Sequence, residues 1–156
     1  MMKKGFTLVE LLIVISILII MLGAGLATFN SFNRRERLKQ TALTLKSTLR
    51  LAQTKAISVE KPTSGCTSFT GMYVSFTATT YSIGHQCNPE GIVGGSETVT
   101  LPPGITFSPV PSAFTILSQT NTINIASPVS LIIINGSELY SLTVSPNGSV
   151  NDGGFQ

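Results

Sequence analysis

An apolar run near the N-terminus constrains the fold of this chain more than any other feature. Residues 11–33 carry no charged side chain, and Leu, Ile and Val dominate their first half. As an α-helix these 23 residues would reach about 35 Å, more than the roughly 30 Å of a bilayer core. The run therefore predicts a transmembrane helix, which we place at residues 6–33.

One acidic residue, Glu10, stands immediately before this run. A carboxylate at membrane depth costs a few kcal/mol unless it is paired, and no basic residue lies within one helical turn of Glu10. Two interpretations are open. Either Glu10 meets a group brought to the same depth by another chain, or it lies at the headgroup level near the end of the span.

A cleaved secretory signal is the rival interpretation of the apolar run. Such signals have an apolar region of about 7–15 residues, followed by small residues at the cleavage site. The run here is longer, but small residues do occur at Gly23, Ala24 and Gly25. The basic residues do not decide the orientation, because they flank the run on both sides. The pattern alone leaves a secreted protein open.

The helix is predicted to continue as an amphipathic segment over residues 34–61, which Pro62 ends. Apolar residues recur there at alternating spacings of four and three, namely Leu38, Ala42, Leu45, Leu49, Ala52, Ala56 and Val59. A short, alanine-rich stripe of this kind is typical of a helix that packs closely on a sheet of its own chain.

From residue 62 onward the sequence has the character of a β-rich globular domain. Thr, Ser, Val and Ile alternate with Gly, Pro and Asn breaks, and Asn135-Gly136 is a strong hairpin signal. The predicted strands are Gly71–Phe76, Thr80–His85, Thr98–Leu101, Thr115–Leu117, Thr122–Ala126, Val129–Ile134 and Leu139–Val144. Residues 86–96 and 151–156 are predicted to be a flexible loop and tail. The predicted fold class is α+β, with one long N-terminal helix packed on an antiparallel β-sheet domain.

The chain has two cysteines, Cys66 and Cys87. Beside a membrane-targeting N-terminus, an even pair in a small domain predicts a disulfide formed in an oxidising compartment. Such a bond would close a loop of about 20 residues and contribute roughly 3 kcal/mol. Two buried free thiols are the alternative.

Charge is distributed very unevenly along the chain. All ten basic residues lie at or before Lys61, so residues 1–61 carry a net charge of +7, whereas residues 62–156 carry −4. Binding to nucleic acid requires Lys or Arg against the phosphates. The β-rich part is therefore not expected to bind nucleic acid.

The residues needed for catalysis or metal binding do not come together in this sequence. His85 and Cys87 could supply two metal ligands, but nothing supplies the second half of a site. His85 has no acidic residue that can be assigned to it as a catalytic partner. We therefore predict that the chain is not an enzyme and uses no metal or cofactor, and that His85 is a strand-end residue beside the disulfide.

Residues 3–12, Lys-Lys-Gly-Phe-Thr-Leu-Val-Glu-Leu-Leu, resemble the class III leader of type IV pilins and type II secretion pseudopilins. The resemblance implies that residues 1–5 are a leader peptide, which a prepilin peptidase removes between Gly5 and Phe6. The same enzyme would methylate the new amine of Phe6. It also implies that Glu10 pairs with the Phe6 amine of a neighbouring subunit. This pairing would explain why a carboxylate stands at the start of an apolar span.

Further stretches resemble the GspH/FimT branch of the pseudopilins. One is the helix pattern Leu45-x-x-x-Leu49-x-x-Ala52-x-x-x-Ala56. The others are Thr-Leu-Pro-Pro-Gly-Ile-Thr-Phe at residues 100–107 and Leu-Thr-Val followed by a glycine turn at residues 142–148. DNA-binding members of this branch carry arginines around that turn, but here Gly148 has no basic neighbour. DNA capture is therefore in doubt for this subunit.

The resemblance implies a minor pilin or pseudopilin of a type IV pilus or a type II secretion pseudopilus. Its partners would be the prepilin peptidase, other pilins or pseudopilins and an inner-membrane assembly platform. It would cross the bacterial inner membrane once, with its β-domain outside the cytoplasm. The alternative is a membrane-anchored module at a pilus tip that takes up DNA or adheres to a surface.

Overall fold

The computed structural model describes residues 7–120 and 122–156, apart from the side chains of residues 23–28. Over these residues the chain forms one helix, α1 (Leu8–Ile57), and eight strands. The chain divides into two compact units, Met1–Glu36 and Arg37–Gln156, and α1 contributes residues to both.

The first unit, in its described part, is the N-terminal portion of α1. Thr7 precedes the helix, and its Oγ1 accepts a hydrogen bond from the backbone N–H of Glu10 at 3.3 Å. This contact satisfies one of the amides that the first turn of a helix leaves without a partner. Within the described ranges, no helix combines the length and the apolarity that crossing a membrane requires.

In the second unit, α1 presents the amphipathic stripe that the sequence predicted. Its large apolar members Leu38, Leu45 and Leu49 are at most 1% exposed. The alanines at 42, 52 and 56 are equally buried, and these small side chains let the helix backbone approach the strands closely. The prediction of a helix packed on the β-domain is confirmed.

The helix ends at Ile57, earlier than the predicted boundary at Lys61. Two backbone bonds close the last turn: Val59 N–H donates to Ala56 O at 3.3 Å, and Glu60 N–H donates to Lys55 O at 3.0 Å. This is the Schellman arrangement, in which the residue after the cap adopts a left-handed conformation. Here that residue is Val59, at φ 53°, rather than a glycine.

The strands form two four-stranded antiparallel sheets where one β-sheet domain was predicted. The first sheet has the order β3-β2-β1-β5 and the second β4-β6-β7-β8. The strand bounds are β1 Ser68–Phe76, β2 Thr80–Asn88, β3 Gly91–Thr100, β4 Thr106–Phe107, β5 Phe114–Leu117, β6 Val129–Asn135, β7 Glu138–Val144 and β8 Val150–Phe155.

Three of the predictions for this region were wrong. Residues 86–96 are not a loop, because β2 runs to Asn88 and β3 begins at Gly91. The predicted tail at 151–156 lies largely in β8. The predicted strand Thr122–Ala126 contributes only a single bridge, between Ile123 and Ile116.

One hydrophobic core joins α1 to both sheets within the second unit. Polar contacts reinforce it: the Gln53 amide donates to the carbonyl of Gly148, and Thr48 Oγ1 lies 3.3 Å from the hydroxyl of Tyr81. The α+β fold class, pilin-like in its element order, is therefore confirmed.

Candidate functional site

The N-terminal end of α1 holds the residues that the sequence singled out for processing and assembly. The predicted cleavage junction, Gly5 and Phe6, and the predicted methylation at Phe6 lie outside the described residues. Glu10 lies in the first turn of α1, and its side chain is exposed. Its role as an assembly contact stays a prediction.

A local signal at Glu10 was missed in the sequence. Thr7-Leu8-Val9-Glu10 has the Thr-x-x-Glu spacing of a capping box. The Thr7 side chain forms one half of it, through the bond from the Glu10 amide. A carboxylate in the first turn is also favoured by the positive end of the helix dipole, by about 0.3–1 kcal/mol. Glu10 therefore has a modest local role in addition to the one predicted.

The apolar side chains C-terminal to Glu10 are exposed, as are those just before it. From Leu8 to Leu22 the large apolar residues are 44–76% exposed, with Leu11 at 54% and Ile20 at 72%. A contiguous apolar surface of this extent marks a site that contacts another molecule or a lipid phase. The first unit is thus an interaction surface in its own right.

The two cysteines form the predicted disulfide, with a Cα–Cα distance of 5.5 Å. Cys66 precedes β1, and Cys87 lies in β2, where it pairs with Phe69. The bond therefore ties together the open end of the β1–β2 hairpin. The sequence led us to expect that this bond pins the first hairpin region, Gly71–Thr80, to the loop that follows it. That expectation was wrong, because Cys87 belongs to β2 and not to a loop.

A second contact closes the same end of the hairpin. The Glu90 carboxylate accepts hydrogen bonds from the hydroxyl of Thr67 and, at 3.3 Å, from its backbone N–H. These bonds, the hydroxyl bond foremost, lower the pKa of Glu90 below its ordinary value. Lys61 donates to the carbonyl of Thr67 at 3.3 Å. This cluster orders the chain beside the disulfide.

Burial raises the pKa of Tyr81 above its ordinary value, and a larger shift occurs at Tyr140, in β7 of the second sheet. Tyr140 is 4% exposed and packs edge-on against Phe155, with ring centroids 4.9 Å apart. Burial, together with a hydrogen bond to the Asp152 carboxylate, raises the pKa of Tyr140 to about 12. Asp152 also lies 3.9 Å from the Lys46 ammonium. These contacts link β7, β8 and α1 within the second unit.

His85 lies within β2 and not at a strand end as predicted. Its Nδ1 is buried and has no hydrogen-bond partner among the described residues. No group of three or more His, Cys, Asp or Glu side chains that could hold a metal ion occurs in the described part of the chain.

Comparison with known proteins gives one match. The family model of the prokaryotic N-terminal methylation motif matches residues 1–26. No curated protein and no solved structure matches the chain. The motif and the α+β architecture support a type IV pilin-like protein or pseudopilin. The motif further implies processing by prepilin peptidase, membrane anchoring and assembly with other pilins.

Proposed function

We propose that this chain is a minor pilin or pseudopilin of the GspH/FimT type. In this proposal it is a structural subunit of a type IV pilus or of a type II secretion pseudopilus. Prepilin peptidase removes residues 1–5 and methylates the amine of Phe6. The subunit then remains in the bacterial inner membrane, which it spans once. The assembly platform adds it from there to a filament with other pilins or pseudopilins.

The observation that carries this proposal is the methylation motif at residues 1–26, combined with the exposed apolar surface of α1. The large apolar side chains from Leu8 to Leu22 are exposed, so the described part of the first unit does not bury them. Two surroundings would cover them: the bilayer before assembly, and the apolar helices of neighbouring subunits after it. A soluble monomer would expose them to water at a cost of about 25 cal/mol per Å².

In this proposal Glu10 sets the axial register between the helices of neighbouring subunits. In the bilayer its carboxylate lies near the membrane face, and the sequence places no lysine or arginine within one helical turn of it. In the filament it meets the Phe6 amine of a neighbour, where a charge-assisted contact strengthens as water is excluded. Only one stagger of two helices satisfies both groups, so the pair selects that stagger.

Two stretches of the second unit support assignment to the GspH/FimT branch. In the Leu-Pro-Pro-Gly-Ile stretch, Ile105 N–H bonds to Pro102 O at 3.1 Å, and Leu101 and Ile105 are buried on either side of the turn. In the second stretch, the carbonyl of Gly148 accepts the Gln53 bond from α1. Both stretches hold core contacts, which is the role expected of residues that define a fold branch.

The charges near Gly148 argue against DNA capture by this subunit. The residues beside the turn are Asn147, Ser149 and Asn151, and the acidic Asp152 comes next. Phosphate binding would need cations that are free to meet it, and Lys46, which the fold brings to this surface, lies 3.9 Å from the Asp152 carboxylate. A structural role in the filament is therefore favoured over a DNA-binding role at its tip.

The mass of the mature chain tests the proposal. Protein purified from cells that contain a prepilin peptidase should begin at Phe6 and carry one added methyl group on its amine. The same gene expressed without that peptidase is the control and should retain residues 1–5. A chain that begins beyond Gly23 would establish an ordinary signal peptide and refute the pilin assignment.

A further inference from the structure

The outer face of the first sheet carries a group of hydroxyl side chains. Alternate residues of a strand share a face of the sheet, and so do residues that pair directly across strands. Tyr81 and Ile83 of β2 belong to the core, so the residue between them, Ser82, faces away from it. The strand pairing then places on this same outer face Tyr73, Ser75, Ser82, Ser96, Thr98 and Thr115. We call this surface the hydroxyl face.

The hydroxyl face is uncharged, although the chain has ten basic and seven acidic residues. The four strands of the sheet contain one Asp, Glu, Lys or Arg, namely Glu97. Glu97 pairs with Ile83, so it lies on the core side of the sheet. A polyanion would need Lys or Arg on this face, and a basic partner would need carboxylates. The face is therefore matched in charge to a neutral partner.

Two side chains give the hydroxyl face an apolar strip. Tyr73 pairs with Gly84, which has no side chain of its own. Ile92 extends over that glycine from β3, since a Cβ at Gly84 would lie 3.0 Å from Ile92 Cγ2. Ile92 is 52% exposed and Tyr73 is partly exposed, whereas the other two tyrosines of the chain are buried. The strip formed by Tyr73 and Ile92 is thus accessible to a ligand.

Hydroxyl groups surround this strip. Ser82 Oγ and Thr98 Oγ1 lie 2.8 Å apart and bond to each other. The hydroxyls of Tyr73, Ser96 and Thr115 form no hydrogen bond to another described residue. A hydroxyl can both donate and accept, and neighbouring strands lie only about 4.8 Å apart. A flat ligand on the strip would therefore meet free hydroxyls from the strands on either side of it.

We propose that the hydroxyl face binds a neutral polysaccharide whose β-1,4-linked pyranose rings form a flat ribbon. A pyranose ring has a face of C–H groups and a rim of hydroxyls. The C–H face would lie on Tyr73 and Ile92, since a tyrosine offers a large apolar surface with one polar end. The rim would exchange hydrogen bonds with Ser96 and Thr115. Serine is depleted in protein–protein interfaces, so this face suits a sugar better than a neighbouring subunit.

The tyrosine content of the chain makes binding directly observable, because there are three tyrosines and no tryptophan. The full-length, oxidised protein is prepared in lipid nanodiscs with ring-¹³C-labelled tyrosine, and a Tyr73→Phe sample identifies the Tyr73 signal. Cellohexaose is the probe. Maltohexaose, which has the same sugar in α-1,4-linkage and a curved shape, is its control. We expect a saturable shift of the Tyr73 signal with cellohexaose and at least fivefold weaker binding of maltohexaose.

Four variants, titrated with cellohexaose by calorimetry, give the proposal a signature. Tyr73→Ala removes the ring and should weaken binding at least tenfold, whereas Tyr73→Phe keeps the ring and should weaken it at most about threefold. Ile92→Ser changes an exposed residue of the edge strand, which spares the core, and should weaken binding about threefold. Phe155→Ala removes a partly exposed ring from the second sheet and should leave binding unchanged.

Two further measurements separate this proposal from its rivals. Added salt should not alter the affinity, because neither the face nor the ligand is charged. Tyr73→Ala should enter the filament as the wild type does, and a loss of incorporation would assign the face to a neighbouring subunit instead. Absence of saturation, equal binding of the two sugars, or equal effects of Tyr73→Ala and Phe155→Ala would also overturn the proposal.

Discussion

The two units of this chain use apolar residues in opposite ways. In the first unit the apolar run is continuous, and its described side chains between Leu8 and Leu22 are exposed. In the second unit apolar residues alternate with polar ones, and a single core buries its members to 9% exposure or less. The same residue types are therefore exposed in one unit and packed against the chain itself in the other.

This difference separates two kinds of mutational effect. Changes in the second unit remove contacts that the chain makes with itself, so they should alter the free energy of unfolding. Changes at the start of the first unit remove contacts to a bilayer or to neighbouring subunits, so they should alter assembly and leave the fold intact. A change at the start of the first unit that lowered the free energy of unfolding would show that the units are not functionally separate. So would a change in the second unit that impaired only assembly.

The largest effect is expected at Glu10. Glu10→Ala should reduce incorporation into the filament at least tenfold, because in the proposed filament it would leave the buried amine of a neighbour without its partner, at a cost of several kcal/mol. Glu10→Asp should be intermediate, since it keeps the charge but shortens the reach. The measurement is co-purification of each variant with partner pilins from cells that carry the native machine. The Cys66–Cys87 disulfide should form normally in both variants.

Thr7→Ala separates the assembly role of Glu10 from its local role in the helix. Thr7 Oγ1 accepts the bond from the Glu10 amide, and losing such a cap costs about 1 kcal/mol. If Glu10 acts only through the first turn of α1, Thr7→Ala should impair incorporation to a similar extent. We expect it to incorporate almost as the wild type does. Wild-type incorporation of Glu10→Ala would instead show that this acid is not the assembly contact.

The disulfide should have the second-largest effect, and it should act on stability alone. Its cysteines are 21 residues apart, and closing a loop of that size contributes roughly 3 kcal/mol. Replacing both Cys66 and Cys87 by Ala should lower the free energy of unfolding by about that amount in urea titrations. Reduction of the wild type should reproduce the loss, and the denatured, unreduced protein should label at no thiol. Two labelled thiols would contradict the bond.

Tyr140 should make the stability of the second unit sensitive to alkali. Its pKa is about 12 when folded and near 10 when unfolded, so the folded state holds the proton more tightly. The contribution, at most about 2.7 kcal/mol, is complete below pH 10 and is lost as the pH rises toward 12. Urea midpoints measured over this range should fall, and Tyr140→Phe should flatten the decline. Asp152→Asn should reduce it partially, because the Asp152 carboxylate raises the pKa. An unchanged slope in Tyr140→Phe would exclude Tyr140 as the cause.

The helical part of the fold was predictable because its signal is periodic. The spacing from Leu38 to Ala56 follows one face of a helix, and α1 buries that face. The end of the helix was not predictable, because Val59 takes the left-handed position that sequence rules reserve for glycine. The capping bond at Thr7 could have been found from its spacing to Glu10.

The edge strand β8 and the first part of the edge strand β3 could not be predicted, because glycines interrupt their alternation. β3 contains Gly94-Gly95, where the pairing with β2 shifts, and β8 contains Gly153-Gly154, where the pairing with β7 shifts. A bulge moves the residues after it to the opposite face of the sheet. The alternation of apolar and polar residues therefore changes phase at the bulge and cannot be followed along the whole strand. The position of His85 next to one of these bulges depends on the same pairing.

The smallest effect tests the strained end of α1. Val59 has φ 53° and packs partly against the core. A side chain in this conformation costs about 1–2 kcal/mol relative to glycine. Val59→Ala and Val59→Gly both remove the packing of the valine, but only the glycine relieves the backbone. We therefore expect Val59→Gly to be more stable than Val59→Ala by about 1 kcal/mol in urea titrations, with equal incorporation into the filament. If the alanine variant is as stable as the glycine variant, residue 59 is not held in the left-handed region in solution, and the Schellman closure of α1 would be wrong.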